Sequence, residues 1–336
     1  MTRSHTVSVG LIGAGRIGSS HAGIIARRVP GADLVAVADP RPGVAATLAA
    51  PLGARGETDP GAIFAAEDID AVVITATSEA HCELVVAAAQ AGKAVFCEKP
   101  MSLNLPDADR AIAAARDADV QLQVGFNRRF ATDFAAAHAL VVDGAVGTPQ
   151  LMRSVTRDPG LANPGGVPQW TVFTQTLIHD FDALLWLNPG ASPVEVYATA
   201  DALVAPEFKV SGLLDTAVVV ITFDNGARAV AEASFSATYG YDVRAEVFGS
   251  AGMVTIGGAP ARSTALFDAQ GRHVDMPRGD VDLFRDAYTA ELVEFTAAVR
   301  EGRAPSVTGE DARRALAVAL ACIESVQANT PAGVAQ

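Results

Sequence analysis

Cysteine is scarce in this chain. Cys82, Cys97 and Cys322 lie far apart with no C-x-x-C spacing, which argues against a disulfide framework or a zinc site and fits thiols kept reduced in the cytoplasm. No metal is expected. Positive charge is also short, with 25 Lys and Arg against 38 Asp and Glu, a net −13 with neutral histidines. A surface of that sign repels phosphate, so no nucleic-acid partner is expected, and a neutral substrate fits better than a highly anionic one. No apolar run reaches the roughly 18 residues of a membrane span. Met1–Thr6 leads straight into a strand rather than an apolar cleavable stretch, so neither a membrane partner nor an export signal is expected. Apolar residues, by contrast, make up 50% of the 336 residues, enough for about two domains with real cores.

From Val7 to about Gln123, short β-branched runs alternate with helical stretches. The runs are VSVGLI (7–12), LVAVAD (34–39), AVVIT (71–75), AVFCE (94–98) and VQLQVGF (120–126), and helices are expected near His81–Ala91 and Asp107–Ala118. Strands that read as continuous apolar runs are buried on both faces, which predicts a doubly wound parallel sheet. After Asn127 the rhythm changes. A helix (Phe130–Asp143), a strand near Gln150–Thr156, a Pro/Gly-rich loop (Pro159–Pro168) and a helix (Thr171–Leu187) precede five strand candidates, VEVYATA, TAVVVITF, ARAVAEASF, RAEVFGS and MVTIGG. Asn225-Gly226 between two of them signals a hairpin. Helices over Leu283–Arg300 and Gly309–Gln327 close the chain. The expected fold class is therefore α/β followed by α+β. A Rossmann NAD-binding domain (1–126) precedes a domain (127–336) with a large open, mostly antiparallel sheet covered by helices.

Gly13-Ala14-Gly15-Arg16-Ile17-Gly18 is G-x-G-x-x-G directly after a strand and opening a helix. Gly13 permits the turn, Gly15 lets backbone approach a pyrophosphate, and Gly18 allows close packing of helix on sheet. The first helical turn, with Arg16 and Ile17, offers N–H donors to the anion. Asp39 closes the second strand, 21 residues after Gly18. A carboxylate there accepts from the ribose hydroxyls and repels a 2′-phosphate, which places NAD ahead of NADP. Arg41 could soften that preference by pairing with a phosphate, although a solvated loop arginine is the plainer expectation.

Glu98-Lys99-Pro100 stands at the carboxyl end of a predicted parallel strand, where open α/β sheets bind ligands. A lysine there can donate to a substrate hydroxyl and favour its alkoxide character. On an α-helical wheel, Trp170, Phe173, Leu177, Phe181 and Leu184 share an apolar face, and Gln175, His179, Asp182 and Trp186 fall opposite. His179 is then a candidate proton acceptor, with Gln175 at i−4 reaching the same space. The alternative is that this second face is merely solvated.

Together these residues resemble the Gfo/Idh/MocA family, named for glucose–fructose oxidoreductase and inositol dehydrogenase. The matching stretches are VGLIGAGRIG (9–18), ITATSEAH (74–81), VFCEKPMS (95–102), QVGFNRRF (123–130) and QTLIHDFDALLWL (175–187). Residues 239–256 and 284–316 look particularly like inositol 2-dehydrogenases. The resemblance implies NAD(P)-dependent oxidation of a ring hydroxyl without a metal, and a homo-oligomer, often a tetramer, formed through the open sheet. It implies that Lys99 binds the reacting hydroxyl and His179 acts as base, that Thr75, Thr77, His81 and Glu98 line the cofactor, and that Lys99–Pro100 is cis. Gln175 departs from the inositol dehydrogenase pattern, in which the position four before the histidine is normally aspartate. Thr156 and Asp158 stand where a histidine and an asparagine are usual, so recognition of the substrate by Gln175, Thr156 and Asp158 should differ. Tyr241, with Tyr239 beside it, could frame the substrate or serve the sheet. Arg128 is a weaker candidate, expected to be solvated. A sugar dehydrogenase or ketosugar reductase is the second reading, and an NAD- and ligand-binding protein without turnover the third.

Overall fold

The computed structural model describes residues 6–160, 163–211, 213–258 and 264–336. Met1–His5 of the N-terminal stretch and Leu161–Ala162 of the Pro/Gly-rich loop lie outside the described residues. The chain divides into two compact units. The first runs through Phe130 and takes in Asp286–Arg313; the second comprises Ala131–Arg285 and Arg314–Gln336.

The first unit is built on six strands, β1 (Val7–Ile12), β2 (Ala32–Ala38), β3 (Arg55–Glu57), β4 (Ala71–Ile74), β5 (Ala94–Glu98) and β6 (Leu122–Gly125). They lie in the order β3-β2-β1-β4-β5-β6, and every pair is parallel. Helices α1 (Arg16–Arg28), α2 (Val44–Ala49), α3 (Pro60–Ala65), α4 (Ser78–Gln90) and α5 (Leu105–Asp117) supply the crossovers. Every residue of β4 and β5 is buried, as continuous apolar strands between two helical layers must be. The strand order reverses between β1 and β4, and the carboxyl ends there form the crevice where such sheets bind ligands. The segment 286–313 completes this unit at its β5–β6 side. Val124 N–H donates to Val307 O at 3.2 Å, Gln123 Nε2 donates to Glu291 O at 2.9 Å, and Phe295 packs edge-on against Phe96.

In the second unit α6 (Thr132–Val142) leads to β7 (Pro149–Arg157) and α7 (Ile178–Trp186). Strands β8 (Pro193–Asp201), β9 (Thr216–Phe223), β10 (Arg228–Ser234), β11 (Asp242–Gly249) and β12 (Met253–Gly257) follow. A small hairpin, β13 (Ala265–Asp268) with β14 (Gly271–Val274), had no counterpart among the expected strands. Helices α8 (Asp280–Glu301) and α9 (Gly309–Ala328) run from one unit into the other, and β15 (Ala332–Gly333) ends the chain. The large sheet has the order β12-β11-β7-β10-β9-β8-β15. All its pairs are antiparallel except β7–β10, because the chain passes through α7 and the β8–β9 pair before returning beside β7. Asn225-Gly226 makes the β9–β10 hairpin as expected, with Gly226 at φ +87°.

Along β9 the burial alternates: Ala217, Val219, Ile221 and Phe223 are buried, while Val218 and Val220 face outward. The outward face carries exposed apolar residues, Tyr197, Leu151, Phe248 and Met253 beside Val218 and Val220, among charged ones such as Arg153 and Glu232. Among the described residues no helix is long and apolar enough to cross a membrane.

Candidate active site

The glycine loop is shaped by what surrounds it. Gly13 has φ +101°, and a Cβ there would lie 2.6 Å from the Ala76 nitrogen. A Cβ on Gly18 would lie 1.8 Å from Gly13 O, so α1 sits directly on the loop. Gly15 is different, since a Cβ there would meet nothing within 4 Å. Protein packing does not demand its smallness, and the open space leaves the backbone there accessible to a ligand. Thr75 Oγ1 donates to Gly13 O at 2.7 Å and pins the loop to the end of β4. Helix α1 begins without a side-chain cap and without an acidic residue in its first turn, which leaves N–H groups for an anion. Arg16 is exposed and Ile17 half-buried beside them. These features fit a dinucleotide pyrophosphate.

Asp39 is buried and takes four donors. Ala14 N–H and Arg41 Nη2 reach Oδ2 at 2.8 and 2.7 Å, and Arg41 N–H and Nε reach Oδ1 at 3.0 and 2.8 Å. The Arg41 guanidinium is the main reason its carboxyl is held low, at about 2. Arg41 is an exposed loop arginine, as expected, but it is not unengaged. Spaced two residues from Asp39 across a Pro turn, it folds back onto the carboxylate.

Lys99 is half-buried after β5, and its peptide bond to Pro100 is cis. The preceding Glu98 turns inward: Oε1 lies 2.8 Å from His21 Nε2, and Oε2 accepts from Lys99 N–H at 3.1 Å. A cofactor contact would have to share a carboxylate already engaged within the fold. Glu291 from α8 lies behind His21, 3.9 Å from Nε2, fully buried and with neither oxygen hydrogen-bonded. Burial first, and then the charge of Glu98, push its carboxyl well above the usual range. Glu291 is therefore a neutral acid, and its proton avoids a second buried negative charge. His81, also buried, places Nδ1 2.8 Å from Pro100 O and Nε2 3.0 Å from Ala76 O. Burial lowers its pKa, and a neutral imidazole has one N–H, so one of the two carbonyls is bonded at a time. His81 thereby ties the loop after β4 to the Lys99–Pro100 corner. Thr77, at the start of α4, is the exposed member of the expected set.

In the second unit the helix around His179 departs from the wheel. Val172–Leu177 is wound as a π-helix before α7 begins, so the 100° spacing does not carry across Gln175. Trp170 stands outside the helix, with φ +64°. The expected apolar face is buried at Phe173, Leu177, Phe181 and Leu184, but the opposite face is not solvated. Asp182 is fully buried, and Gln175, His179 and Trp186 are half-buried. The residue after His179, Asp180, is buried and accepts from Ser154 Oγ and, at 2.7 Å, from Thr156 Oγ1. Thr156 is itself buried, its hydroxyl joining β7 to α7, while Asp158 is half-buried at the end of that strand. Trp186 stacks on His138 with centroids 3.9 Å apart. Tyr241 is buried edge-on against Phe284, and the more exposed Tyr239 donates to Asp242 at 2.7 Å.

This architecture matches known proteins at full length. Residues 7–126 match the model of an oxidoreductase family with an NAD-binding Rossmann fold, and 134–255 match the GFO/IDH/MocA C-terminal domain. The chain belongs to the GFO/IDH/MocA oxidoreductase family. Family members similar to it include a myo-inositol 2-dehydrogenase of Thermotoga maritima, 37% identical over 332 residues that cover 95% of this chain and 96% of that one. An inositol 2-dehydrogenase of Rhizobium meliloti is 37% identical over 96% of this chain and 97% of its own. Among solved structures, scyllo-inositol dehydrogenase of Lactobacillus casei, with bound NAD(H) and scyllo-inositol, superposes with a TM-score of 0.93. It is 28% identical, over 98% of this chain and 100% of that one.

The glycine loop and strand order are those of an NAD-binding Rossmann fold, and the Lys99–Pro100 bond is cis as expected. The wheel and the motifs alone missed the inward-facing set. Arg128, expected to be solvated, is fully buried in the turn after β6, and no local pattern signals that. His21 and Glu291 did carry a signal. His21 lies three residues beyond Gly18 on the sheet-facing side of α1, and Glu291 stands between Tyr288 and Leu292 on a buried face. A polar residue on the core side of an amphipathic helix is an invitation to look for its partner.

Proposed function

We propose that the protein oxidises a secondary ring hydroxyl of a neutral cyclic polyol, of the inositol class, to the ketone, with NAD as the acceptor. The observation that carries this reading is the end-to-end similarity to inositol dehydrogenases across both units. It is supported by Lys99 at the carboxyl end of β5 and by His179 half-buried on its helix. NAD, when bound, supplies the hydride acceptor. Lys99, which follows the carboxylate anchored by His21, donates to the reacting oxygen and stabilises its developing charge. His179 takes the hydroxyl proton. Thr156 acts on this helix through Asp180. Gln175, a neutral amide, gives the imidazolium no carboxylate at that position and both donates to and accepts from a substrate hydroxyl.

We assign the outward apolar face of the large sheet, Tyr197, Val218, Val220, Leu151 and Phe248, to self-association, with a tetramer as the expected assembly. Three free, buried cysteines fit work in a reducing cytoplasm. The test is NADH formation with excess NAD and a panel of myo-, scyllo- and D-chiro-inositol, glucose, galactose and xylose. Turnover of an inositol is expected. Turnover of sugars alone would transfer the protein to the sugar dehydrogenase reading that Gln175 favours.

A further inference from the structure

We infer that Arg41 sets the cofactor selectivity of this chain by competing with the NAD ribose for Asp39 and by serving as the receptor for the 2′-phosphate of NADP. The inference rests on the reading of the glycine loop and Asp39 as the dinucleotide site. An ionised carboxylate offers about four acceptor positions, and all four on Asp39 are taken: by Ala14 N–H, Arg41 N–H, Arg41 Nε and Arg41 Nη2. Two of these donors are backbone groups fixed by the β1–α1 loop and by the turn after β2. Only the guanidinium can leave. A ribose diol that bonds to Asp39 through two hydroxyls therefore needs the positions that Nε and Nη2 hold. The Arg41 side chain is 61% exposed, against 4% for Asp39, so the arginine can swing into solvent while the carboxylate stays in place.

For NADP the same geometry has the opposite sign. A 2′-phosphate brought to Asp39 meets a negative charge, and the one cation already bonded to that carboxylate is Arg41. A guanidinium matches phosphate as a bidentate partner as well as it matches carboxylate. Asp39 and Arg41 thus form a charge pair that either ligand must open. NAD loses the arginine as a competitor, whereas NADP retains it as a partner.

The test is calorimetric binding of NAD and of NADP, each without substrate, to the full chain and to Arg41→Ala, with Arg41→Lys as a second variant. Arg41→Ala should tighten NAD by about two- to fivefold, the worth of a largely exposed ion pair, and should weaken NADP at least tenfold. Arg41→Lys, which keeps the charge but lacks the planar fork, should fall between. Weaker NAD binding by Arg41→Ala would overturn the inference, because Arg41 would then be a contact of the cofactor. An unchanged NADP affinity would overturn it equally. If the unaltered chain binds neither dinucleotide, the dinucleotide-site reading fails with it. If it binds NAD and the variants match it, only the role of Arg41 fails.

Discussion

Each unit sets its proposed catalytic residue beside a buried carboxylate, and the two units anchor that carboxylate by different chemistry. In the first, Lys99 follows Glu98, which is held by His21, with the neutral acid Glu291 behind. In the second, His179 precedes Asp180, which is held by the hydroxyls of Ser154 and Thr156. Ser154 and Thr156 are neutral donors, so they bring no second charge to the carboxylate beside His179. The Lys99 corner depends on ionisable partners, and loss of Glu98 would leave the buried His21 Nε2 without the carboxylate it meets at 2.8 Å. Polar residues of a recognised motif therefore divide into those that meet ligands and those that hold the first group still.

The largest effect should come from removing the groups that face the chemistry. Lys99→Ala and His179→Ala are each expected to lower kcat by about 10²–10⁴-fold, with calorimetric NAD affinity held within about threefold. Full activity in either variant would end the parallel between the two units. A smaller effect separates the anchors. Glu98→Ala leaves His21 and Lys99 N–H without their acceptor, and should cost about 1–3 kcal/mol in denaturant unfolding, the penalty for an unsatisfied buried group. Glu98→Gln should recover part of that loss. Equal stability of Glu98→Ala and the parent would show that the His21 contact carries no weight.

How much of this was legible from residues alone follows the same division. The glycine loop, Asp39 and the parallel strands announce themselves, because backbone geometry demands glycine and burial on two faces demands continuous apolar runs. The hairpin at Asn225-Gly226 is equally local. What could not be read was pairing across the chain. Glu98 meeting Glu291, Asp180 meeting Ser154, and β10 returning beside β7 depend on contacts between residues far apart in sequence. The π-helical winding before α7 defeats a wheel that assumes one period. Arg41 is exposed as expected, and its pairing with Asp39 went unread for a smaller reason: two residues across a Pro turn is close enough to fold back, yet the spacing does not dictate that it does.

The smallest expected effect is acidic and belongs to that pair. Asp39, held at about 2 against an ordinary 3.8, binds a proton less readily in the folded chain than in the unfolded one. It therefore contributes stability above about pH 4 that is lost as pH falls towards 2. Between pH 5 and pH 2.5 the thermal midpoint of the parent should fall further than that of Asp39→Asn. Parallel declines would mean that the ion pair adds nothing to the fold.

The return of Asp286–Arg313 to the first unit also governs the order of events during synthesis. When Phe130 leaves the ribosome, all six parallel strands exist, yet β6 lacks the carbonyl of Val307, and His21 with Glu98 lacks the neutral acid of α8. At roughly 5–20 residues per second that gap lasts on the order of ten seconds or more. The whole second unit up to α8 is made in the interval. The nucleotide-binding half, first to be begun, is complete only once Arg313 has been made, and a fragment ending at Phe130 should behave as an unfinished sheet with an open flank.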